Sequence, residues 1–178
     1  GREFAGSDTL ATSYALAAAV RKIGKVDVIV CGRQAIDGDT AQVGPQVAEK
    51  LGLPQITYAE EILDLSNNKI TVKRRLERGV EVVKGSLPMV ITVNGSAPEC
   101  RPRHAKLTLK YKRAATPTEK QESGNDYTDL YDARPYLNIT EWGVNDIEHD
   151  IQWLGLTGSP TKVKQIESVV FTAKESKR

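Results

Sequence analysis

Along this chain the spacing of apolar positions alternates between helical and strand-like periods, and each change predicts an element. "DTLATSYALAAAVRKIG", Asp8 to Gly24, places Leu10, Tyr14, Ala17 and Val20 on one helical face, with Ser7 or Asp8 as cap and Gly24 as stop. The short β-branched run "VDVIVC", Val26 to Cys31, predicts a buried parallel strand. "PQVAEKLGLP" predicts a second helix that starts near Gly44, carries Pro45 in its first turn and stops at Gly52. A strand at "QITYA" then completes the helix–strand–helix–strand rhythm of a doubly wound α/β sheet.

After Ala59 the rhythm changes. "EEILDL", "KITVKRRLE" and "VEVVKG" are separated by "SNN" and "RG", which predicts an antiparallel meander. "PMVITV", Pro88 to Val93, returns to the buried sheet. The polar run "TPTEKQESGNDYTD", residues 116 to 129, reads as a flexible connection. From Tyr136 onward apolar spacing resumes around Trp142, Ile147, Ile151, Trp153 and Leu154. "GSPTKVKQI" then gives another helix start, with Ser159 at the cap and Pro160 in the first turn.

Composition narrows the class. A chain of 178 residues with 39% apolar and 27% charged residues suits one globular domain, possibly extended. The net charge of +2 does not suggest nucleic-acid binding. Cys31 and Cys100 lie far apart with no metal-ligand spacing, so neither a disulfide framework nor a metal site is expected, and a reducing cytoplasm is the default. No apolar run approaches the roughly 20 residues of a membrane span, so no membrane insertion is expected. His104 and His149 stand outside any catalytic pattern, and no catalytic residue is assigned. The chain starts at Gly1 and its first helix begins almost at once, so we expect a missing piece upstream.

The stretch "CGRQAIDGDTAQVGP" joins the first strand to the second helix, which leaves "DGDTAQV" at the helix N-terminus. Unpaired amides and about half a positive charge collect at such a terminus, and phosphate commonly binds there after a parallel strand. Gly38, Thr40, Ala41 and Gly44 are small enough to admit a ligand, and Thr40 and Gln42 add donors. Asp37 and Asp39 repel phosphate and are better placed as a helix cap or as acceptors for ribose hydroxyls. Small and polar residues also suit a turn that holds nothing, and neither GxxxxGK[ST] nor GxGxxG is present. The residues alone leave both readings open.

"GRQAIDGDTAQVGPQVAEKLGLPQ" resembles the signature stretch of the electron-transfer flavoprotein β subunit, and "FAGSDTLATSYALAAAVRK" is similar to that family's preceding helix. "LPMVITVNGSAPECRPRHAKL" and "LGLTGSPTKVKQI" fall in the family's order, so the likeness spans nearly the whole chain. It implies an α/β fold with a mostly parallel doubly wound sheet, adenine-nucleotide hydrolase-like, an antiparallel meander and a C-terminal extended arm. It also implies that the family's N-terminal portion is absent. Residues 1–113 would form the nucleotide-binding domain, 114–135 a flexible linker, and 136–178 an arm contacting the α subunit.

The resemblance places an adenine nucleotide along Gly32, Arg33, Gln34, Ala35, Ile36, Asp37, Gly38, Asp39, Thr40, Ala41, Gln42 and Val43. Residues Thr40 to Val43 would meet its phosphates, with Thr9 at the margin of the set. Family members hold either AMP or a second FAD there, and "DGDTAQVGP" resembles the FAD form used in electron bifurcation. The implied partners are an electron-transfer flavoprotein α subunit and a dehydrogenase. The basic segment 101–113, six Lys/Arg with no acid, matches the family's docking loop, with Leu107 as anchor and Arg103 and Lys110 on the rim. Its other reading is an edge strand guarded by lysines. Rival classes are an ATP-pyrophosphatase-like enzyme, whose SGGxDS loop is not seen here, and a nucleotide-sensing module without redox chemistry.

Overall fold

The computed structural model describes residues 1–124 and 128–161. Helix α1, Thr9–Ile23, is opened by the Asp8 carboxylate, which accepts from the amides of Leu10 at 2.9 Å and Ala11 at 3.0 Å. Gly24 stops it. Its buried positions Ala11, Ser13, Ala17 and Ala18 are all small, which lets helix α2, Val43–Leu51, lie close against it. Strand β1, Val28–Gly32, precedes α2.

The sheet runs β1-β5-β2-β3-β4, with β2 at Gln55–Ser66, β3 at Lys69–Leu76, β4 at Gly79–Ser86 and β5 at Met89–Val93. β5 pairs parallel with β1 on one side and β2 on the other, while β2–β3 and β3–β4 are antiparallel. The expected α/β sheet with an antiparallel meander is therefore present. One boundary differs: "QITYA" and "EEILDL" are a single strand. Register shifts between Ala59 and Glu61 and between Ile62 and Asp64, with left-handed Tyr58 (φ 59°), bend β2 out of the parallel layer into the meander. The same bulges interrupt the period-two pattern, which makes one bent strand read as two.

That bend closes the core. Ile56, Ala59, Ile70, Val72, Met89 and Ile91 form one buried cluster, and a Cβ added at Gly85 of β4 would strike the Met89 Cε. The meander thus curls back over the parallel strands. On the opposite face α2 lies against β5, the central parallel strand.

Residues 101–113 form neither strand nor edge: helix α3, Ala105–Lys110, starts there, its Leu107 amide donating to His104 Nδ1 at 3.3 Å. The polar run after it carries helix α4, Pro117–Ser123, set by a capping box between Thr116 and Glu119, and then α5, Thr128–Ala133. Capping outweighs the weak hydrophobic signal there. Residues 136–161 return to α1, burying Leu137, Ile147 and Leu154. The Asp150 amide donates to the Tyr14 hydroxyl at 2.9 Å, the Asp8 amide to Ser159 Oγ at 2.8 Å, and the Thr161 amide to Asp8 Oδ2 at 3.1 Å. The helix expected to follow Ser159 lies outside the described residues from 162 onward. Among the described residues no helix is long and apolar enough to cross a membrane, and no cluster of metal-binding side chains occurs.

Glu60, 8% exposed, ties the meander to the loop after β5: Arg75 and the Ser96 hydroxyl donate to it, and Lys73 Nζ lies 3.9 Å away. The hydrogen bonds from Arg75 and then Ser96 hold its carboxyl below the usual range. A depressed folded-state value stabilises the fold fully above the unfolded value, about 4.3, and this is lost as pH falls through the folded value. Denaturant midpoints measured across the acid range should therefore fall more steeply for the natural chain than for Glu60→Gln. Parallel curves would show that this carboxylate carries no such linkage.

Candidate functional site

β1 ends where the Arg33 amide donates to the Val93 carbonyl at 3.0 Å, and the loop to α2 then leaves from the carboxyl edge of the parallel strands. Ligands of open α/β sheets bind outside that edge. Within the loop the Asp39 amide donates to the Ala35 carbonyl at 3.1 Å, and the Gln34 side-chain amide donates to the Asp39 carboxylate. Asp39 (φ 50°) and Ala41 (φ 55°) are left-handed, a conformation that bends the chain sharply back toward α2. Ile36 at the loop tip is fully exposed, and Arg33 and Asp37 beside it are exposed as well.

α2 begins after Gln42, and no side chain caps it. Asp37 and Asp39 therefore do not serve as the cap; Asp39 is engaged by Gln34 instead. The consequence is a run of free donors. Among the described residues, the amides of Thr40, Ala41, Gln42, Val43 and Gly44 meet no acceptor. They stand where the aligned peptide dipoles of α2 add positive potential, an arrangement suited to an anion.

The start of α1 lies beside the start of α2. The Thr9 hydroxyl donates to Gln42 Oε1 at 2.9 Å, so Thr9 joins the end of the loop. Two further side chains, passed over in the sequence, complete this contact: Gln46 Nε2 donates to Thr9 Oγ1 at 3.4 Å, and the Ser13 hydroxyl donates to Gln46 Oε1 at 3.1 Å. Their signal was present, because Thr9/Ser13 and Gln42/Gln46 are polar pairs at i,i+4 on facing helices.

Two glycines divide the work of the loop. A Cβ at Gly44 would lie 2.6 Å from Thr92 Cγ2 and 3.4 Å from Cys31 Cβ, so only glycine lets the first turn of α2 sit on β1 and β5. At Gly38 a Cβ would meet nothing nearer than Thr40 Cγ2 at 3.9 Å, leaving space in front of the loop. Burial pushes the Cys31 thiol up, so it packs there as a neutral group and not as a thiolate.

The basic segment lies apart from this loop in sequence. Leu107 is half exposed and Leu109 more so, while Arg103 is exposed. Lys110 is exposed, and its Nζ sits 5.1 Å from the centre of the Tyr111 ring and 4.8 Å from that of the Tyr136 ring, which pack edge to face.

A family model described as the electron transfer flavoprotein domain matches residues 1–122. An electron transfer flavoprotein subunit beta of Megasphaera elsdenii is 40% identical over 171 residues, 93% of this chain and 54% of that protein. Protein FixA of Azorhizobium caulinodans is 42% identical over 172 residues, 93% of this chain and 53% of that one. An acryloyl-CoA reductase electron transfer subunit gamma of Anaerotignum propionicum is 42% identical over 168 residues, covering 91% and 54%. The chain thus spans about half the length of these relatives.

The two glycines respond differently to one added methyl group. Gly44→Ala should lower stability by about 1–3 kcal/mol through overpacking against Thr92. Gly38→Ala should change it by less than about 0.5 kcal/mol, as exposed sites do. Urea midpoints of the two variants check this, and equal losses would refute the close approach at Gly44.

Proposed function

The chain belongs to the electron transfer flavoprotein β-subunit family, and from that premise we propose that its Gly32–Val43 loop holds an adenine nucleotide in a protein that carries electrons. The observation that carries this reading is the run of amides from Thr40 to Gly44 at the uncapped start of α2, which meet no acceptor among the described residues. Family membership supports the nucleotide, and the free donors are the chemistry a phosphate requires.

The residues fit an adenylate. Among the described residues the amides, the Thr40 hydroxyl and Gln42 Nε2 face no competing acceptor, and Gly38 keeps the approach open. Asp37 and Asp39, whose charge opposes phosphate, serve ribose hydroxyls from the exposed end of the loop. We assign FAD, on the likeness of "DGDTAQVGP" to the FAD-holding form, and flavin-based electron bifurcation with it; AMP would make the protein an ordinary carrier. A bound flavin would supply the one- and two-electron chemistry. The chain's own residues bind and orient the nucleotide, and no acid or base on this loop is required.

Electrons pass in this proposal through an α subunit, with the arm at 136–178 contacting it, and to or from a dehydrogenase docked on α3. The half-exposed Leu107 is a suitable anchor, and Arg103 provides steering charge. Residues 114–135 join the nucleotide domain to the arm. A reducing cytoplasm suits the two free cysteines.

Nucleotide released from the full heterodimer under anaerobic conditions should contain a second flavin per dimer and essentially no AMP; FAD with an equal amount of AMP would exclude bifurcation. Thr40→Val should weaken nucleotide binding by about 0.5–2 kcal/mol if it loses one hydrogen bond to a charged group, as read by titration calorimetry. For docking, Leu107→Ala should cost about 1–3 kcal/mol of dehydrogenase affinity, mainly through the off-rate, with flavin content unchanged. Unchanged kinetics would leave α3 as a solvated helix.

A further inference from the structure

We propose that Gln46 and Ser13 are positioning residues: through Thr9 they turn the Gln42 side-chain amide so that its NH2 group, and not its carbonyl, is offered to the nucleotide phosphate. This rests on the nucleotide reading above. Ser13 is fully buried on an alanine-rich helix face, where alanine would pack and favour the helix more. Its hydroxyl lies 2.8 Å from the Leu10 carbonyl and 3.1 Å from Gln46 Oε1, and its single proton is shared between the two acceptors.

The rest follows from which group donates at each contact. With Oε1 of Gln46 turned to Ser13, its NH2 end meets Thr9 Oγ1 at 3.4 Å. The Thr9 hydroxyl, accepting there, donates its single proton onward to Gln42 Oε1 at 2.9 Å. Gln42 is left with its NH2 group, which has no partner among the described residues. The relay therefore has a direction, from the buried core outward, and it ends on a donor. An exposed glutamine without that relay rotates among its rotamers and presents a carbonyl as readily, which repels a phosphate oxygen.

The test uses the full-length subunit in complex with its α partner, stripped of nucleotide and titrated separately with AMP and with FAD. Gln46→Leu and Thr9→Val should each weaken binding roughly two- to tenfold, the range of one ordinary hydrogen bond. Thr9→Ser, which keeps the hydroxyl, should bind as the natural protein does. In a Gln42→Leu background, Gln46→Leu should add almost nothing, because it acts through Gln42; a merely structural role would add its full cost again. Thermal melts of each variant report folding. If Gln42→Leu weakens binding while Gln46→Leu does not, or if Gln46→Leu costs the same factor in both backgrounds, the relay is wrong and the nucleotide site stands. If Gln42→Leu and Thr40→Val both leave binding unchanged, the site and the relay fall together.

Discussion

The seating of α2 on the ends of β1 and β5 governs the candidate site. The helix contributes no side chain to that contact, since Gly44 leaves its backbone directly against the Thr92 and Cys31 side chains of the strands. Once α2 is fixed at that height, the preceding loop must return from the exposed tip at Ile36 within a few residues. Left-handed Asp39 and Ala41 accomplish the return. Peptide groups forced into that path cannot reach sheet or helix acceptors, and their N–H groups stay open. Donor richness is thus a by-product of close packing, and the function proposed for the loop uses it.

How far the sequence revealed this depends on the range of the interactions involved. α1 and α2 were readable because their signals are local: Asp8 and Gly24 bracket the first, and Pro45 and Gly52 the second. The loop was readable as a possible anion site for the same reason. β2 reads as two segments because its irregularities depend on register against its partners, β3 on one side and, between Ile56 and Ala59, the more distant β5 on the other. The basic segment has the charge pattern of a guarded edge strand, yet it winds into α3 from a histidine cap, a weak signal within a run dominated by charge. Gln46 and Ser13 were overlooked since each looks ordinary on its own helix; their meaning arises only from α1 and α2 facing one another.

The small net charge conceals a marked division of tasks. Some cations are engaged within the chain: Arg75 and Lys73 with Glu60, Arg74 at 3.7 Å from Glu81, and Lys110 with two tyrosine rings. Acids do similar work at helix starts, where Asp8 receives two amides of α1 and Glu119 closes the cap of α4. A tally of charges along the chain therefore says little about what a partner would meet.

The junction of the arm with α1 has a kinetic side. The Asp8 amide and the Ser159 hydroxyl are 151 residues apart in sequence, so their meeting closes a very long loop. Closure entropy rises slowly with length, but such a contact cannot form until nearly all the intervening chain has been synthesised. The Asp8 carboxylate caps α1 locally and needs no such delay. During synthesis the helix can therefore form early, while its outer collar, Ser159 and Thr161, arrives only after the intervening chain, and until then the start of α1 stands without it.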